Sequence, residues 1–254
     1  MKWIVAMSLS CADVRRACVG KLLNLGVSRV VLNVHDTDAL HTCGFLNDPR
    51  IHTTHFSGMK PRFWFHALDN VKDFDIVWLI DSDVCPYTPQ FSLDAVERWF
   101  EHGKVGVMQP SILRTSAASR GSDKKDLNMA VFNEQCAATC AIVEQMTPIF
   151  VSRLWTQFHR KVLTSIPEAI LRTSDWGLNA AWSGLAHKNN LSSLVMLDMF
   201  ATHYDTRTYD RMLNSTRLNR GVGRASYNHL YKTVPELMVA AGCKHERRCY
   251  PRPQ

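Results

Sequence analysis

Two carboxylates, Asp81 and Asp83, stand one residue apart at the end of five apolar residues in DIVWLIDSDV, Asp75 to Val84. Residues i and i+2 of an extended chain point to the same side, so both acids can face one ligand. Like charges that close are unfavourable unless a cation lies between them. Hard oxygen donors with open positions suit Mn²⁺ or Mg²⁺ shared with a substrate diphosphate. The plainer reading makes Asp81 a turn residue and leaves Asp83 solvated. The place of the pair, at the end of a fully apolar run, favours the metal.

The elements that must position this pair follow from hydrophobic pattern and punctuation. KWIVAMSL reads as a strand, DVRRACVGKLLNLG from Asp13 as a helix stopped by Gly26, and SRVVLNVHD as a second strand. RIHTTHF is a short third strand, and KPRFWFHALDNV a helix with Pro61 in its first turn, where proline is tolerated. IVWLI, apolar without alternation, predicts a strand buried on both faces of a parallel sheet covered by helices. SLDAVERWFEHG is a helix capped by Ser92 and stopped by Gly103, followed by the strand KVGVMQPSI. RTSAASRGSDKKDLN, Arg114 to Asn128, reads as a mobile loop. CAATCAIVEQMTPIF predicts a strand running to a turn at Pro148, VSRLWTQFHRKVL a helix, and TSDWGLNAAWSGLAHK a helix capped by Ser174 or Asp175. SLVMLDMFATHYD is a last strand ending in His203. In an open α/β sheet ligands bind beyond the carboxyl ends of the strands, where Asp81 and Asp83 fall.

The 254 residues, 46% hydrophobic and 21% charged, can fill one large core. No window approaches the roughly 20 apolar residues of a membrane helix, and WIVAM is shorter than a signal-peptide core of about 7 to 15 residues. The expectation is a cytoplasmic protein with no membrane span. Eight scattered cysteines lack any C-x-x-C pair, so no zinc or redox spacing is present, and reduced, mostly buried thiols are expected. A small disulfide loop in CKHERRC, Cys243 to Cys249, is the less favoured alternative. The formal charge is +7, and from Ala201 onward ten Lys or Arg stand against four acids. Such a tail suits an anionic partner or a solvated face. It carries no nucleic-acid recognition motif, and no nucleic-acid partner is expected.

With these features in order, the sequence resembles the nucleotide-sugar-dependent glycosyltransferases of the GT-A fold. The resemblance runs from about Lys2 to Asp205 and rests on the strand-helix-strand opening, WLIDSDV as a D-x-D motif, TSDWG with an acid at a helix start, and the late His of ATHYD. IVEQMTPIF and SDWGL also resemble a domain-of-unknown-function family with E-M-x-P-x-F and D-W-G-L motifs. The fold implied is α/β, a Rossmann-like mixed sheet with helices on both faces, in a single domain over 1–254. About 1–110 would form the nucleotide-sugar half, about 111–205 the acceptor half, and about 206–254 a basic C-terminal segment or lid.

The resemblance implies roles residue by residue. Asp83 binds Mn²⁺ or Mg²⁺ directly, Asp81 lies near the donor ribose or the metal's waters, and His203 is a further metal ligand, its tautomer fixed by a bond on its other nitrogen. Asp175 is the general base of an inverting transfer, taking the proton from the attacking hydroxyl; Asp is also a common N-cap, and both readings stand. Glu144 is the next candidate, because an acid inside an apolar strand is costly unless used, and it serves otherwise to hold acceptor hydroxyls. Ser8, Ser10 and Asp36 lie where the family holds base and ribose, and Lys60 where it would meet ribose or diphosphate. Trp176 and Trp182 suit stacking on a sugar face or core packing equally well. RLNRGVGRASY, Arg217 to Tyr227, reads either as a lid that closes over the diphosphate or as a disordered basic tail, and both readings stand. The partners implied are a nucleoside-diphosphate sugar, a UDP-sugar by preference, and a glycan or glycoprotein acceptor.

Ser174 stands before Asp175 where the family pattern has a second acid. Two other classes compete: a dehalogenase-type phosphohydrolase with Asp81 as nucleophile, and a non-catalytic polyanion-binding module using the basic tail. The first places its acidic pair on the first strand and needs a later acidic motif that is missing here. The second leaves the acids at the buried strand end without a purpose.

Overall fold

A computed structural model of the chain describes residues 1–9, 13–34, 47–87, 91–114, 136–204, 224–238 and 247–249. Its strands are β1 (Trp3–Leu9), β2 (Arg29–Val34), β3 (Ile51–Thr54), β4 (Ile76–Ile80), β5 (Val84–Pro86), β6 (Val105–Arg114), β7 (Cys136–Thr139), β8 (Ile149–Val151), β9 (Ser192–His203) and β10 (Arg247–Cys249). The helices are α1 (Asp13–Asn24), α2 (Lys60–Ala67), α3 (Leu93–His102), α4 (Ser152–Lys161), α5 (Glu168–Leu171), α6 (Leu178–Lys188) and α7 (Ala225–Thr233).

The strands form one sheet in the order β10-β7-β9-β6-β8-β4-β1-β2-β3, with β5 pairing β9 off that path. β3, β2, β1 and β4 run parallel. β8 enters antiparallel between β4 and β6, and β6 and β9 run parallel again. All five residues of β4 are buried, and their alternation divides them between two cores. Trp78 and Ile80 join Val5 and Met7 on the face covered by Cys18 and Leu22 of α1 and Val96 and Trp99 of α3. Val77 and Leu79 join Ile4 and Ala6 beneath Phe63 and Trp64 of α2, Trp155 and Phe158 of α4, and Trp182 of α6. A strand with apolar partners on both faces needs no polar alternation, which is why IVWLI reads as a continuous run.

The local signals act where the sequence puts them. Ser92 accepts the amide hydrogen of Ala95 at the start of α3, and Gly103 ends it. Gly26 follows α1 with φ of 90°, a conformation glycine adopts without steric cost. Pro61 sits in the first turn of α2.

The predicted strand through CAATCAIVEQMTPIF is broken in two. β7 ends at Thr139, β8 starts at Ile149, and the residues between them are irregular. Their backbone serves other partners. Met146 O accepts from the Asp81 amide at 2.8 Å, Pro148 O from the Leu79 amide at 3.0 Å, and the Glu144 amide donates to Gln109 Oε1 at 2.5 Å. β9 is followed by β10, so it is not the last strand. The expectation of reduced thiols is also overturned in part: Cys18 of α1 and Cys85 of β5 form a disulfide across 67 residues of sequence. The packing of α1 over β5 brings the two together, and no local spacing announces it. Most of the predicted loop at Arg114–Asn128, Cys243, and the basic stretch up to Gly223 lie outside the described residues. Among the described residues no helix is long and apolar enough to cross a membrane.

Candidate active site

The site is built where β4 ends. A tight turn, with the Val84 amide donating to Asp81 O at 3.0 Å, sends the chain from β4 into β5. β5 pairs antiparallel with the end of β9, setting Val84 opposite His203, and the Tyr204 amide donates to Asp83 O at 2.8 Å. This pairing brings together two side chains 120 residues apart: His203 Nε2 lies 3.1 Å from Asp83 Oδ2. Both are largely shielded, with 13% and 18% of their side chains open to solvent.

Asp81 takes a different partner. Lys60, the first residue of α2, donates to both Asp81 carboxylate oxygens at 2.8 and 3.0 Å and to Gln145 O at 3.3 Å. Its ammonium also lies 3.8 Å from Asp175 Oδ2. Burial pushes the Asp81 carboxyl up to about 6; Lys60 pulls against this, and the nearby Asp83 and Asp175 add to it. Burial opposes the Lys60 charge, yet Asp81 and Asp175 outweigh it and hold the ammonium above its ordinary range. One ammonium thus faces three carboxylates, an arrangement that favours an additional cation. Lys60 was expected at ribose or diphosphate and Asp81 at ribose or metal. In this structure each satisfies the other. Among the described residues, no cluster of three or more His, Cys, Asp or Glu forms a ready metal cage, which leaves the Asp83–His203 pair as the protein donors brought face to face.

Asp175 lies in the turn before α6 and is not its cap. The N-cap is Gly177, with φ of 86° and no side-chain cap bond. Ser174, the other predicted cap, is buried and shares a 2.8 Å hydrogen bond with Ser226 of α7. Gln145 fastens the turn from the opposite side, its Nε2 donating to Asp175 O at 2.6 Å. The segment carrying Gln145 therefore touches both Lys60 and the Asp175 turn. Gln145 was not foreseen, since its part depends on contacts 30 and 85 residues away. Glu144 is not inside a strand, so the burial cost that singled it out does not apply.

Ser8, one residue before the end of β1, lies opposite Asn33 in the sheet register, with its Oγ buried and without a hydrogen-bond partner among the described residues. Asp36 and Ser10 lie outside the described residues. Trp182 belongs to the core, its ring edge-on to Phe150 at 5.3 Å and its Nε1 donating to Val143 O at 3.3 Å. Trp176 is 47% exposed. The Asp81 nucleophile of the phosphohydrolase reading would have to shed both Lys60 hydrogen bonds before attacking.

The Gly177 turn supplies a stability prediction. A Cβ added there would lie 2.8 Å from Tyr227 Cδ2 and 3.1 Å from Tyr227 Cα, on a backbone already at positive φ. Gly177→Ala is expected to destabilise the protein by about 1–3 kcal/mol, read as a lower urea midpoint at unchanged slope.

No protein-family model matches the chain, and no curated protein does. Solved structures do. Residues 1–349 of S. aureus TarS superpose with a TM-score of 0.57 at 15% identity, over 92% of this chain and 73% of that one. The same protein in complex with UDP-GlcNAc gives 0.54 at 13% identity, over 91% and 73%. GalNAc-T7 with UDP, GalNAc and Mn²⁺ gives 0.55 at 8% identity, over 80% of this chain and 43% of that one, so this chain spans less than half its length. Identities this low establish architecture alone. With its mixed sheet and helices on both faces, the chain has a GT-A-type α/β fold.

Proposed function

We propose that this protein is a metal-dependent glycosyltransferase that moves a sugar from a nucleoside-diphosphate sugar, a UDP-sugar by preference, to a hydroxyl of a glycan with inversion. The observation that carries the reading is the approach of Asp83 and His203 at the carboxyl end of β4, 3.1 Å apart, on a GT-A-type fold. A carboxylate oxygen and an imidazole nitrogen, beside a surplus of negative charge, are chemically suited to Mn²⁺ or Mg²⁺. Asp83 and His203 would hold that ion, and bound there it supplies a Lewis acid to the departing diphosphate. Further support comes from the similar folds of TarS in complex with UDP-GlcNAc and of GalNAc-T7 with UDP, GalNAc and Mn²⁺.

The chain's own residues divide the remaining work. Lys60 neutralises Asp81 and keeps the end of β4 in place. Asp175, on the turn fastened by Gln145 and Ser226, is the proposed base for the acceptor hydroxyl. Ser8, near the end of the first strand, would meet the nucleotide.

The test is ligand-induced stabilisation, since a ligand that binds only the native state raises the melting temperature. UDP, GDP, UDP-GlcNAc and UDP-GalNAc are titrated with and without Mn²⁺ on wild type and Asp83→Ala. The expected result is a Mn²⁺-dependent rise with one nucleotide in wild type that disappears in Asp83→Ala. If no nucleotide stabilises wild type under either condition, the proposal fails.

A further inference from the structure

Six of the seven tryptophans are buried, and Trp176, next to Asp175, is the exception at 47% exposure. It does not stand alone. Tyr227 and Tyr231 on α7 are 40% and 60% exposed, and their rings stack with centroids 6.2 Å apart at 23°. Arg224 at the N-cap of α7, Tyr227 and Tyr231 recur at three and four residues, which sets them along one helix face. The Arg224 guanidinium lies over the Trp176 ring at 5.5 Å, a contact that orients the indole. Ser226 locks this face to the Asp175 turn: its amide donates to Ser174 Oγ at 3.2 Å, and its hydroxyl donates to Trp176 O at 2.6 Å. Tyr227 in turn lies against Gly177, where a β-carbon would meet its ring.

Three exposed aromatic rings are therefore carried on two elements fastened together by the Ser226 hydrogen bonds next to the Asp175 turn, and the Arg224 guanidinium braces Trp176. A neutral, polyhydroxylated ligand with apolar ring faces fits this chemistry. The C–H bonds on one face of a pyranose carry partial positive charge and lie favourably over the negative face of an aromatic ring, while hydroxyls at the edge stay in water. Trp176 follows Asp175 directly in the chain, so a sugar stacked on this face would sit next to the turn that carries that carboxylate. Resting on the transferase reading for the role of Asp175, we propose that Trp176, Tyr227 and Tyr231 form a stacking platform for a pyranose ring of the acceptor glycan, separate from the donor contacts at Asp83 and His203.

The platform can be tested without turnover. Lactose, chitotriose, cellotriose and maltotriose are titrated by calorimetry into wild type, Trp176→Ala and Tyr231→Ala, with Mn²⁺-UDP binding measured on the same preparations. All three aromatic side chains are solvent-exposed, so the variants are expected to fold, and circular dichroism checks this. The expected result is that at least one oligosaccharide binds wild type and weakens at least tenfold in each variant, while UDP affinity is unchanged. Binding that is equal in all three proteins, or absent for the whole panel, overturns the platform. Sedimentation with phosphatidylglycerol vesicles that is lost in the same variants also overturns it, since the face would then meet a membrane surface. If the oligosaccharide binds through these residues and UDP binds nowhere, the platform stands and the donor half of the proposed function falls.

Discussion

Asp175→Asn is expected to lower sugar transfer by about 10²–10⁴-fold, the usual contribution of a positioned general base, with donor affinity nearly unchanged. The substitution keeps the size of the side chain and the backbone carbonyl that accepts from Gln145 Nε2. It removes the negative charge able to take a proton from an attacking hydroxyl. The nearest charge to suffer is Lys60, but that contact is 3.8 Å, and both shorter Lys60 bonds go to Asp81. The Asp83–His203 pair is left as it is, so Mn²⁺-dependent UDP binding by calorimetry serves as the control. Loss of transfer together with loss of UDP binding would mean that Asp175 organises the site as a whole. Full turnover in the variant would remove it from the mechanism.

The features visible in sequence were those whose causes are local. IVWLI declares its burial through composition, Ser92 and Gly103 bound α3 through capping chemistry, and Asp81 and Asp83 announce themselves by standing at the end of a buried strand. The errors arose where a distant partner decided the outcome. Glu144 looked like a buried strand acid because VEQM is flanked by apolar residues, but that backbone is drawn off to Asp81 and Gln109. Asp175 looked like a cap because a helix follows it, yet the turn through Gly177 starts that helix two residues later. The Lys60–Asp81 pair spans 21 residues and the Cys18–Cys85 link 67, with nothing in the intervening sequence to specify either. The approach of His203 to Asp83 was implied by family likeness alone; in the structure it follows from the pairing of a three-residue strand, β5, with β9.

Lys60→Met is expected to destabilise the protein by about 3 kcal/mol at neutral pH, the lower end for breaking a buried ion pair. The lower end applies because 18% of the Lys60 side chain and 25% of the Asp81 side chain still meet solvent. An exposed pair would be worth less than about 1 kcal/mol, so the size of the loss decides which description holds. The sign of its pH dependence follows from Asp81. Its folded-state pKa, about 6, lies above the ordinary Asp value of 3.8, so the native state binds the proton more tightly than the unfolded chain does. Stability from this group is therefore greatest at low pH and falls as pH rises through that window. Without Lys60 the Asp81 pKa rises further and the window extends upward. The deficit of Lys60→Met should then be large at pH 7 and shrink toward pH 5, as protonated Asp81 ceases to need a partner. Lys60→Met/Asp81→Asn should recover most of the loss at pH 7, since it removes the stranded charge along with its partner. Urea denaturation at the two pH values measures wild type and both variants, and a small, pH-independent deficit would return the pair to the class of solvated salt bridges. The recovered double variant also separates stability from function. A pair kept only to close the sheet end would leave Mn²⁺-dependent UDP binding intact when replaced, whereas one that tunes the charge around Asp83 would not.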